Sequence, residues 1–74
     1  MNGETSDKLR DNIKAIVAKR RIPKKELAET AGIHPDTLRF FLSGKSDMTI
    51  SLLARIAKAL DMTVTGLINW RAKP

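Results

Sequence analysis

The side chains able to do chemistry in this 74-residue chain are mostly cationic. Fourteen Lys and Arg stand against eight Asp and Glu, a net charge of +6 with the single histidine neutral. Five of the seven positions over 19–25 are basic: Lys19, Arg20, Arg21, Lys24 and Lys25. So large a charge on so small a body favours polyanionic partners, nucleic acid first and an anionic membrane surface second. A run of this kind can also be no more than a solvated face. Groups for bond-making chemistry are sparse by comparison. There is no cysteine, and His34 has no second imidazole or thiolate with which to share a metal. Ser43 has no partner histidine at a predictable distance, and no glycine-rich phosphate loop is present. The carboxylates are scattered over the solvent faces of the expected helices. No enzymatic activity, metal or cofactor is therefore expected. His34 is expected to cap a helix or face solvent.

The elements that position these groups read as helices. Tyrosine is absent, aromatics are 4% of the chain, and no stretch sustains a two-residue alternation. Residues 1–5 are short and polar and are expected to form a disordered arm. Ser6 is a candidate N-cap, followed by Asp7 in the first turn. Leu9, Ile13, Ile16 and Val17 then recur at the spacing of one helical stripe. Lys19, Arg20 and Arg21 suit the negative end of that helix dipole. Pro23 marks the next boundary, and a two-turn helix is expected over 24–31 with Leu27, Ala28 and Ala31 inward. Ile22 and Leu27 stand at the separation of a hydrophobic staple. Gly32 suits the left-handed residue after a helix.

A third helix is expected from about His34 and Pro35 to Ser43, stopped by Gly44. A loop over 45–48 follows. Thr49 caps a fourth helix carrying Ile50, Leu53, Ile56, Ala57 and Leu60 inward. A fifth helix runs over 64–70, and 71–74 is a tail. The folded domain is thus expected over 6–70. A domain of this length buries only roughly 60% of its unfolded surface, so the 42% of hydrophobic residues must pack efficiently. The longest apolar stretches, 15–18 and 52–54, are too short to span a bilayer, and no membrane association is expected.

Residues 24–43 combine a short helix, a tight turn and a second helix with the residue types a helix-turn-helix demands. Ala28 is small where the two helices cross. Gly32 supplies a positive φ in the turn. Ile33, Leu38 and Phe41 are apolar where the second helix docks on the first. Leu38, Phe41 and Leu42 define the buried side of that second helix, leaving Asp36, Arg39, Phe40 and Ser43 on the opposite side.

From Leu9 to Trp70 the chain resembles the phage-repressor and Cro-type helix-turn-helix proteins, the XRE family. The resemblance rests on Glu26-Leu27-Ala28-Glu29-Thr30-Ala31-Gly32-Ile33, then on Leu38, Phe41, Ser43-Gly44, and Thr49-Ile50 through Ala59-Leu60. It implies an all-α fold, a compact five-helix bundle of the lambda-repressor-like type in which helices 2 and 3 form the helix-turn-helix. It also implies that the third helix enters the DNA major groove and that dimers read two-fold related half-sites. Asp36, Arg39, Phe40 and Ser43 then occupy the base-reading positions. Arg39 suits guanine O6 and N7, Asp36 the cytosine amino group, Phe40 a thymine methyl, and Ser43 a base or a phosphate. Lys24, Lys25, Thr37, Lys45, Arg20 and Arg21 are the expected phosphate contacts, supported by the N-terminus of the motif's first helix. With about 4–6 phosphates neutralised, log K should fall with log salt at a slope of about −4 to −5 per subunit. The sequence departs from the family at Pro23 and Pro35, where Ser, Thr or Gln is usual. Pro35 removes one customary base contact, and Lys24, standing where Gln is frequent, favours phosphate.

Other roles remain open for several of these residues. Phe40 can cover the edge of the core, and Asp36 can interact with the positive end of its own helix. Val64, Leu67, Ile68 and Trp70 can be core or the two-fold contact of a homodimer, which the resemblance favours. The resulting expectation is a small cytoplasmic transcription regulator of a bacterium or phage, a repressor or controller protein with no sensing domain. It would bind double-stranded DNA as a homodimer. The alternative is an antitoxin or adaptor whose principal surface grips another protein, such as a toxin.

Overall fold

Helix ends decide how this chain turns back on itself. In the computed structural model, which describes residues 3–45 and 49–71 (residues 3–5 as backbone), there are five helices. They are α1 (Gly3–Arg20), α2 (Lys24–Ala31), α3 (Pro35–Ser43), α4 (Ile50–Ala59) and α5 (Val64–Asn69). Met1 and Asn2 of the expected arm, residues 46–48 of the expected loop and residues 72–74 of the expected tail lie outside the described residues.

The starts follow the sequence closely. Pro23 precedes α2 in an extended conformation, with no side-chain cap. His34 Nδ1 accepts from the Asp36 N–H, Thr49 Oγ1 from the Leu52 N–H, and Thr63 Oγ1 from the Gly66 N–H, so three helices begin on side-chain caps. The first helix is the exception. It begins at Gly3, so Ser6 lies inside it rather than capping it.

Four helices end in one device. Past each, a residue adopts the left-handed conformation and two backbone N–H groups reach back to the last turn. Gly32 (φ 72) and Gly44 (φ 81) do this after α2 and α3. Arg21 (φ 54) and Asp61 (φ 57) do it after α1 and α4 without the glycine that normally relieves the strain. The bonds are equivalent: Ile22 to Val17 (3.1 Å), Ile33 to Ala28 (2.9 Å), Lys45 to Phe40 (3.0 Å) and Met62 to Ala57 (2.8 Å), each N–H to carbonyl. In three of these pairs the returning residue is apolar and packs against the core.

The core is built from the expected stripes. Leu9, Ile13, Ile16 and Val17 of α1 meet Leu27 and Ala28 of α2, Leu38, Phe41 and Leu42 of α3, Leu53, Ile56 and Ala57 of α4, then Leu60 and Leu67. Each large side chain among them contributes about 1.5–3 kcal/mol on full burial. Ile50 is a correction: it is 79% exposed, because as the first residue of α4 it precedes the turn that faces the core. The fifth helix ends at Asn69, so Trp70 follows it, half-buried against the cluster.

Polar side chains of α1 secure the ends of three other helices. Arg10 Nε donates to the Phe41 carbonyl (2.9 Å), Asn12 Nδ2 to that of Leu67 (2.8 Å) and Arg20 Nη1 to that of Leu60 (2.7 Å). Carbonyls in a helix's last turn lack intrahelical partners, and the bonds to Leu67 and Leu60 supply them, while the Phe41 carbonyl accepts from Arg10 in addition to the Gly44 N–H. Packing of α2 on both α3 and α4, and of α1 on α3 and α5, completes the frame that presents α3.

Candidate nucleic-acid interface

Burial of Leu38, Phe41 and Leu42 fixes the rotation of α3 and leaves Asp36, Thr37, Arg39, Phe40 and Ser43 exposed on its outer side. All four expected base-facing residues therefore share one accessible edge. They are not independent of one another. Arg39 Nη2 donates to Asp36 Oδ1 across one turn (2.8 Å), and its guanidinium carbon lies 5.6 Å from the centre of the Phe40 ring. Phe40 is 44% exposed and supports Arg39 rather than filling the core. Ser43 Oγ donates to the Phe40 carbonyl (3.0 Å) at the far end of the helix, where the hydroxyl remains an acceptor. His34 has the expected capping role.

The basic segment over 19–25 is divided by the fold. Arg20 turns toward the end of α4, where its guanidinium serves the Leu60 carbonyl. Arg21 and Lys24 turn the other way and line a groove with Ile22 and with Leu42 of α3. Lys14 lines the same groove from α1. Sequence reading missed Lys14 because it stands outside the basic run, and the fold brings it to the groove that Arg21 lines from just past the end of α1. Among the described residues no ion pair engages Lys14, Arg21, Lys24 or Lys25. Lys14, Arg21 and Lys24 thus gather at a groove beside the uncapped first turn of α2, whose N–H groups add to their positive potential. Lys25 and Lys45 are exposed, the latter just after α3.

The residues expected to pair two subunits divide into two groups. Leu67 is fully buried, accepts the Asn12 hydrogen bond through its carbonyl, and belongs to the core of the single chain. Val64, Ile68 and Trp70 are only partly covered. A Cβ on Gly66 would stand 3.1 Å from the Thr63 hydroxyl that caps α5, so a larger residue there would press on the cap. Among the described residues no helix is long and apolar enough to cross a membrane.

Comparison with curated proteins and with solved structures gives no significant match. The Cro/C1-type HTH DNA-binding domain matches residues 12–73, which take in the whole helix-turn-helix and both helices that follow it. With five helices in the expected order and α2 and α3 forming the motif, this chain belongs to the Cro/C1-type helix-turn-helix family of DNA-binding domains.

Proposed function

We propose that the protein is a transcription regulator that binds a two-fold symmetric operator as a homodimer. The observation that carries the reading is the exposed edge of α3, where Arg39 stands beside Asp36 and Phe40 and opposite the buried Phe41. In this reading α3 lies in the major groove with Arg39, Phe40 and Ser43 toward the bases and Asp36 beside them. Lys14, Arg21, Lys24 and Lys25 hold phosphates on one flank, with Thr37 and Lys45 nearer α3. Arg20 stands on the other side, with one guanidinium donor on the Leu60 carbonyl and the rest free for a phosphate. Pairing runs through Val64, Ile68 and Trp70, the partly exposed apolar residues of the α5 region. Regulation then follows from occupancy of the operator, as repression or as the control of a neighbouring operon.

Selection from random duplexes at physiological salt tests this directly. The expected result is an enriched symmetric site with half-site centres about 10 bp apart. Recovery of no common sequence would contradict operator binding and favour a protein-interaction module. Sedimentation of Ile68→Asp tests the pairing surface: the variant should be monomeric where the parent is dimeric, and an unchanged dimer would exclude this face.

A further inference from the structure

Three outward residues of α3 form a contact chain whose effect is on the position of one guanidinium. Arg39 Nη2 donates to Asp36 Oδ1 over 2.8 Å, and the guanidinium lies against the Phe40 ring at 5.6 Å. Asp36 is in turn held in the first turn of the helix, where its backbone N–H donates to His34 Nδ1 over 3.1 Å. The pair is open to water, with side chains 65% and 53% exposed for Arg39 and Asp36. Ion pairs that open do little for folding. What the contacts do is restrict a long side chain that otherwise loses rotamer freedom on binding. A guanidinium carries five N–H donors, and the contact with Asp36 uses one of them. The others remain available for the two acceptors on the major-groove edge of guanine, O6 and N7.

The carboxylate has a second effect. It offsets the charge of Arg39, which reduces the attraction of that residue for phosphate. Asp36 itself is repelled by the DNA backbone and so lowers affinity for every sequence alike. Both effects shift α3 from general attraction toward discrimination.

We propose that Asp36 is a positioning residue, which presents Arg39 to a guanine at one position of each half-site and does not read a base of its own. The proposal rests on α3 being the base-facing helix. It is tested on the full chain, with duplexes in which each position of the selected site is varied singly. Arg39→Ala should abolish the guanine preference at one position, a loss of about 5- to 150-fold in discrimination. Asp36→Ala should weaken that same preference by about 3-fold or more, alter no other position, and tighten binding to random duplex. In base preference the double variant should match Arg39→Ala alone, as residues acting through one contact do, although its overall affinity should be higher. Asp36→Asn, whose amide oxygen still accepts from Arg39, should retain more of the preference than Asp36→Ala. Both variants keep the cap, which uses the backbone N–H, and Asp36→Asn keeps the test intact if the alanine variant folds poorly.

Two results overturn the proposal. One is a change of preference at a different position in Asp36→Ala, which makes Asp36 a base reader in its own right. The other is full retention of the guanine preference in both Asp36 variants. If Arg39→Ala alters no position at all, the assignment of α3 as the base-facing helix fails instead, a distinguishable outcome.

Discussion

The outer edge of α3 and the groove where α1 meets α2 both present cationic side chains, and they differ in how those charges are held. On α3, Arg39 is paired with a carboxylate and laid on an aromatic ring. In the groove, Lys14, Arg21 and Lys24 have no ion pair among the described residues. A cation already paired in the free protein gains less from a phosphate and more from an acceptor pattern that its geometry fits. A cation without a partner gains from any phosphate. The difference assigns discrimination to the first region and sequence-independent affinity to the second, the division expected of base and backbone contacts in protein–DNA complexes.

The comparison requires that the reading edge be separable from the core behind it, and two adjacent residues test this. Phe41→Ala should destabilise the fold by about 3–5 kcal/mol, because the ring is fully buried and the site cannot collapse freely. Its neighbour Phe40→Ala should cost under about 1 kcal/mol in denaturant melts while reducing base discrimination. Similar stability losses in both would mean that Phe40 belongs to the core.

Next in size is Arg39→Lys. It keeps the charge and removes the planar fork, so binding to random duplex should be nearly unchanged. Preference at one base position should fall by about 1–3 kcal/mol in competition binding. A uniform loss on all sequences would assign Arg39 to the phosphates and erase the distinction between the regions.

A smaller effect separates stability from binding within the groove. Arg21 sits at φ 54, and left-handed geometry is costly for a residue with a Cβ. Arg21→Gly should therefore raise stability by about 0.5–1 kcal/mol, a Tm increase of a few degrees in a domain this small. It should also weaken binding to specific and random duplex equally. Asp61→Gly removes the same strain after α4 and should stabilise without weakening DNA binding.

Most of the fold was legible because its signals are local. The caps His34 and Thr49 and the two glycines after α2 and α3 stand where the polar and apolar pattern changes, and the stripes of α1 to α3 gave the core, while the Thr63 cap of α5 was not read from the sequence. The Ile50 error has a geometric cause: it matches the apolar spacing of α4 but lies at the start of the helix, ahead of the turn that packs. Of the left-handed residues, Arg21 carries no propensity signal and Asp61 only the modest tolerance of aspartate for that conformation. Their trace is an apolar residue five positions after another, as in Val17 and Ile22 or Ala57 and Met62, the spacing at which a chain returns onto the helix it has just left.

The interface was legible only in part. Which side of α3 faces out follows from helical geometry, so Asp36, Arg39, Phe40 and Ser43 could be named together. That three of them touch depends on rotamers, which spacing does not specify. The fate of the basic run depends on tertiary structure: one arginine serves α4 while the next lines the groove with a lysine from another stretch of chain. Leu67 was not separable from Val64 and Ile68 by pattern, because a short helix with apolar residues on most of its surface does not reveal which of them the subunit itself buries.

The division between anchoring and reading is tested most directly by the salt dependence of binding to random duplex, compared across the parent, Lys24→Ala with Lys25→Ala, and Arg39→Ala. Each phosphate contact contributes about 0.9 to the slope of log K against log salt. The double lysine variant should be shallower than the parent by about 2 per subunit. Arg39→Ala should leave the slope within about 0.5 of the parent, since its target is a base and no phosphate contact is lost. An Arg39→Ala slope shallower by a full phosphate contact, with the lysine variant unchanged, would contradict the account.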